Sequence, residues 1–190
     1  MKKKFLKENY IKCGKFFGEC RWHVVFALAT FALLFIIGFA FPIFFREEIF
    51  NFIVEMTEMI EGRTILELIG IIFFNNLRAS FFAMIFGIGF GVFPLIVGIV
   101  NGYLLGFVAR EAVVRGGISV MWQLFPHGIF ELPAILFSMG IGFKIGTDLL
   151  RKDINLKYNF REGLRFFAFV IFPLLLVAGI IEGILIGIVN

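Results

Sequence analysis

The sequence predicts an all-α, polytopic bundle of transmembrane helices, and three observations carry that prediction. Sixty per cent of the 190 residues are hydrophobic and 29 are Phe, well above the ~45–50% of a soluble domain. Charged residues make up only 17%. The charges are also bunched between long, mostly uncharged stretches on the scale of the ~20 residues a helix needs to cross a bilayer. A soluble fold of this length has too little interior for so many large apolar side chains, and a disordered chain would not carry them. About five spans are expected, followed here in chain order.

Residues 1–22 form a basic flank. Lys2, Lys3, Lys4, Lys7, Lys12, Lys15 and Arg21 outnumber Glu8 and Glu19. A long apolar segment follows at once, so the flank is read as facing anionic lipid headgroups in the cytoplasm, not nucleic acid. Cys13 and Cys20 make no C-x-x-C pair and are expected as reduced thiols. The first span covers about 23–45. Its apolar run is longer than the ~7–15 residues of a signal peptide, so an uncleaved anchor is expected. Pro42 sits near its end.

Residues 46–63 hold Arg46, Glu47, Glu48, Glu55, Glu58, Glu61 and Arg63, while Ile49, Ile53, Met56 and Ile60 recur at helical spacing. This predicts an amphipathic interfacial helix over 47–61. From Ala79 to Ala109 there are 31 residues without a charge. With their flanks they suffice for two spans, 70–92 and 95–115, divided near Gly91–Pro94. One kinked helix is the alternative. The fourth span, 118–145, is expected to be broken by Pro126 and Pro133. A basic loop fills 144–165, and the fifth span covers 164–188. Residues 23–190 thus form one transmembrane domain.

The positive-inside rule then orients the chain. With five spans both basic segments fall on one side and the acidic 46–63 segment on the other. The expectation is a multi-pass protein of the cell (inner) membrane, N-terminus cytoplasmic and C-terminus outside, with the lipid bilayer as its first partner.

Small residues recur at four-residue spacing: Gly98, Gly102 and Gly106; Gly179, Gly183 and Gly187; and Ala134, Ser138, Gly142 and Gly146. Such stripes let helix backbones approach closely. A homodimer through one of these faces is expected, within or without a larger membrane protein complex.

Polar groups at membrane depth are costly and point to function. Asn75, Asn76 and Arg78 open the long apolar run. Asn101 lies in the third span, His127 and Glu131 stand four apart after Pro126, and Glu182 lies in the last span. The expected polar, ligand-binding cluster is Asn75, Asn101, His127, Glu131 and Glu182, with the asparagines bonding between helices. Three readings of His127 and Glu131 stand open: a structural pin, an ion or proton path with Glu182, and a metal site for zinc or another divalent cation. The last needs further ligands, since His127 and Glu131 are too few for zinc. No catalytic residue is assigned, because H-E-x-x-H and G-x-S-x-G are both missing.

The strings Asn75-Asn76-Leu77-Arg78, Asn101-Gly102-Tyr103-Leu104-Leu105-Gly106 and Pro126-His127-Gly128-Ile129-Phe130-Glu131-Leu132-Pro133-Ala134 resemble the stage II sporulation protein M family, with Glu182 in keeping. The resemblance covers about residues 65–190. It implies a polytopic membrane protein without an established enzymatic activity. The family's relatives include proteins of organisms that form no spores, so no sporulation role comes with it. Two functions are carried forward: a non-enzymatic scaffold or transport component, and an intramembrane metal-binding protein or metal-dependent enzyme centred on His127 and Glu131.

Overall fold

A computed structural model describes residues 2–119, 121, 125–150 and 155–189; for residues 2, 125–127 and 189 it describes the backbone alone. The described chain is helical, with seven α-helices in order: α1 (Lys2–Ala40), α2 (Arg46–Ile60), α3 (Ile65–Ile85), α4 (Val92–Gly116), α5 (Phe125–Asp148), α6 (Leu156–Phe166) and α7 (Phe172–Val189). Among the described residues, five stretches are long and apolar enough to cross a membrane: Lys3–Ala40, Ile65–Ile88, Val92–Gly116, Gly128–Asp148 and Leu156–Ile188.

Several boundaries differ from the sequence reading. The basic flank is not separate from the first span. It is the first half of α1, which at 1.5 Å per residue is roughly 58 Å long, far more than the ~30 Å hydrocarbon layer. The uncharged 79–109 run is two helices. α3 ends in a 3-10 turn at Phe86–Ile88, and Phe90 (φ 55) and Gly91 (φ 76) reverse the chain in the left-handed region before α4 starts. Pro94 costs nothing there, because the first N–H groups of a helix have no intrahelical acceptor.

In the fourth span, Pro126 lies in the first turn of α5 and the helix runs on through Pro133. The short first piece expected from 118 onward lies in part outside the described residues. The basic loop of 144–165 is also partly helix: α5 continues to Asp148 and α6 begins at Leu156, capped by Asn155, whose side chain accepts the Tyr158 N–H at 3.0 Å. Between α6 and α7 the turn widens to a π-turn over Phe167–Ile171. It coincides with Pro173, whose ring would clash with the carbonyl four residues upstream in a regular helix.

Helix α5 is the hub. In its spanning window 56% of residues are buried, against 17–33% in the other four. Its small-residue stripe explains this. Ala134 and Ser138 are fully buried, and a Cβ on Gly142 would overlap the Ala83 carbonyl of α3. The other stripes are likewise taken up inside the chain. Gly102 and Gly106 lie against the Phe31 and Phe35 backbone of α1, and Gly179 and Gly183 against Phe73 and Ile69 of α3. A second copy of the chain would have to pair through other surfaces. Large apolar side chains such as Phe26, Leu33, Ile36, Leu66 and Phe74 stay exposed on the outer faces, where a bilayer is the fitting solvent.

Thr64 and Glu67 form a reciprocal capping box at the start of α3. Glu67 Oε2 accepts the Thr64 backbone N–H at 2.9 Å, and Thr64 Oγ1 accepts the Glu67 N–H at 3.4 Å. This fixes where the second span begins. Thr64→Ala is expected to speed amide exchange in the first turn of α3 about fivefold, the equivalent of a typical lost N-cap, and to leave α5 exchange unchanged. Hydrogen–deuterium exchange by mass spectrometry reads both segments.

Candidate intramembrane polar site

One cavity of about 440 Å³ opens between α2, α3, α4, α5 and α7. Its polar lining consists of Asn75 and Asn76 from α3, Asn101 from α4, Glu131 from α5 and Glu182 from α7. Among the described residues, no Lys or Arg lines it. On one side it is covered by Phe52, Met56 and Ile60 of α2. These share a face because they recur every four residues.

Each polar residue arrives there for a local reason. Asn75 and Asn76 stand halfway along α3, whose first residues are fixed by the capping box. Asn101 stands one residue before Gly102, which lets α4 sit close on α1. Glu131 shares the inward face of α5 with Ala134 and Ser138, and only 4% of it is exposed. Glu182 follows the buried Ala178 and Gly179, the latter bringing α7 against Phe73 of α3.

A short interhelical bond crosses the cavity wall. Asn76 Nδ2 donates to Glu131 Oε2 at 2.7 Å, joining α3 to α5. Asn76 is the residue missing from the cluster expected from sequence. It was visible there beside Asn75, but adjacent helix positions differ by ~100° and only the packing decides which faces α5. Asn101 departs from expectation in another way. Its amide donates to the Val97 carbonyl of its own helix at 2.8 Å instead of bridging to a neighbour. The His127 backbone lies in the first turn of α5, and its side chain lies outside the described residues. Among the described residues, no three His, Cys, Asp or Glu side chains gather as a metal-ligand set.

The cavity cover is itself held in place. Tyr103 of α4 donates its hydroxyl proton to the Phe41 carbonyl at 2.9 Å and accepts the Phe44 N–H at 3.1 Å, which ties the α1–α2 connection to α4. Phe50 packs edge-on to Phe107 at 5.6 Å, and Arg46 reaches Glu111 at 3.5 Å. The ion pair is half-exposed and contributes little. The aromatic contact and the tyrosine carry the attachment.

Sequence reasoning missed a second polar assembly at the opposite end of α5. Asp148, only 4% exposed, accepts from Lys144 Nζ at 2.8 Å and from Asn159 Nδ2 at 2.8 Å. Nearby, Glu162 is paired with Arg161 at 3.1 Å and with Arg165. Tyr158 donates to Glu19 at 3.0 Å. His23 Nε2 meets Thr147 Oγ1 at 3.0 Å. These contacts join α1, α5 and α6 around the buried Cys13, Phe16 and Cys20. A signal existed: Leu156, Phe160, Gly163 and Phe167 recur at helical spacing within the charged stretch.

Five apolar spanning helices, four of which enclose a carboxylate- and amide-lined cavity together with α2, define an integral membrane protein with a polar chamber. The stage II sporulation protein M profile matches residues 27–185, and the chain belongs to that family. Two relatives from Methanocaldococcus jannaschii are similar to it. The uncharacterized protein MJ0706 is 35% identical over 101 residues, 49% of this chain and 45% of the relative. The uncharacterized protein MJ0793 is 36% identical over 73 residues, 37% of this chain and 41% of the relative. The matches thus span less than half the length of each. No solved structure matches the chain.

Proposed function

We propose that this protein is a non-enzymatic membrane transport component whose polar chamber takes up a small cation. The observation that carries the reading is the chamber lining, which gathers Glu131 and Glu182 with three asparagines and, among the described residues, no Lys or Arg. Two carboxylates brought together in a mostly apolar enclosure offer a cation several oxygen ligands at one place. Amide carbonyls add neutral oxygen ligands. Intramembrane carboxylates of this kind are the usual elements of ion and proton paths.

The bunching of basic residues at the α1 and α6 end supports a cytoplasmic location for that end. The α2 cover then faces outward, and the cation enters beneath it. Reconstitution into vesicles tests the reading. Proton and monovalent-cation flux is followed with entrapped dyes for wild type, Glu131→Gln and Glu182→Gln. Each variant is expected to reduce flux at least ~10-fold, the effect of ~1.4 kcal/mol on a binding or barrier step. Flux that is absent from wild type, or unchanged in both variants, overturns the proposal.

A further inference from the structure

A recess of about 230 Å³ lies between the first half of α1 and helix α6, away from the chamber. It is lined by Lys12 and Lys15 from α1 and by Tyr158, Arg161, Glu162 and Arg165 from α6. We propose that this recess binds a phosphate group, supplied by the headgroup of an anionic membrane lipid.

Four cations face Glu162, with Glu19 at the rim where Tyr158 donates to it, so the recess keeps a positive balance and gains from an anion. The Glu162 carboxylate positions donors. Glu162 is 5% exposed and takes Arg161 through Nε and Arg165 through one terminal nitrogen. Each guanidinium has five N–H donors, so both keep donors for a phosphate while their planes are held. Arg161 also lies over the Tyr158 ring, its guanidinium carbon 5.9 Å from the centroid. Paired guanidiniums suit phosphate oxygens in a bidentate fashion. Lys12 and Lys15, three apart on one helix face, add mobile charges from the other wall.

The surroundings favour a lipid over a soluble phosphate. Phe5 and Ile11, on the side of α1 that carries Lys12 and Lys15, are exposed apolar groups. They offer a surface for acyl and glycerol carbons beside the cationic recess. A basic pocket at the cytoplasmic ends of membrane helices is a recognised setting for anionic headgroups.

The test uses the full chain purified in a neutral detergent. Thermal unfolding and native mass spectrometry are recorded with phosphatidylglycerol, with phosphatidylcholine and with inorganic phosphate. Phosphatidylglycerol is expected to raise the unfolding midpoint and to remain bound as one lipid per chain, with neither effect from phosphatidylcholine. A Lys12→Gln/Lys15→Gln/Arg161→Gln variant leaves Glu162 paired with Arg165. It is expected to keep wild-type helicity and lose affinity ~10-fold or more. A wild-type midpoint indifferent to phosphatidylglycerol, or a shift that survives in the variant, overturns the site. Inorganic phosphate that reproduces the full shift overturns the lipid assignment and makes the ligand a soluble phosphate.

Discussion

Gly106→Leu is expected to destabilise the folded bundle by about 3 kcal/mol or more, the upper part of the range for overpacking. The reason is geometric. The nearest groups a Cβ on Gly106 would meet are the Phe35 carbonyl and the Phe39 amide nitrogen of α1. Both are backbone, so no rotamer change relieves the overlap, and α1 must move away from α4. Gly102 and Gly38 make the same kind of approach in this pair, against Phe31 and Tyr103, so the whole α1–α4 seam opens together. Without water as a driving force, helix association in lipid rests largely on such contacts. Gly70→Leu is the matched control, since nothing lies within 4 Å of a Cβ there. Thermal unfolding in detergent should show a large loss for Gly106→Leu and little change for Gly70→Leu. Equal stabilities would mean that α1 and α4 do not meet through glycine.

Asp148→Leu carries the other large effect. It removes the acceptor shared by Lys144 and Asn159, whose side chain and residue are 13% and 3% exposed. Breaking one side of a buried ion pair costs about 3–5 kcal/mol, because the remaining charge is left uncompensated. The Asn159 amide, also orphaned, adds to that. Replacing the charges together has a different sign structure. Lys144→Met with Asp148→Leu is expected to recover more than half of the loss, since no buried charge remains. Adding Asn159→Leu recovers more. Denaturation of the three variants in one detergent decides the matter. An Asp148→Leu protein as stable as wild type would show that water reaches Lys144.

The spans were readable because lipid leaves the backbone one economical solution: a continuous helix of sufficient apolar length. Span ends were less readable. Charge dominates the 144–165 stretch, and the apolar period of α6 is short. Yet α6 supplies buried Asn159 and Glu162 to the interior. The chamber residues were singled out by depth alone. Asn101, Glu131 and Glu182 are conspicuous in apolar surroundings whatever they touch. Their partners were not conspicuous. Asn76 is bonded to a residue 55 positions away, whereas Asn101 turns back to its own helix at Val97.

By itself, then, the sequence determined that this chain forms helices, about how many cross the bilayer, and which side chains would be expensive there. Each of those follows from a local property: run length, period, or the solvation cost of one group. The tertiary structure decided which glycine stripe meets which helix, that α5 is the centre, and that α2 covers the chamber. It also decided that two separate polar assemblies stand at opposite ends of α5. These depend on pairings between residues far apart in the chain. Such pairings are selected by the fit of whole helix faces, a property that no local stretch of residues contains.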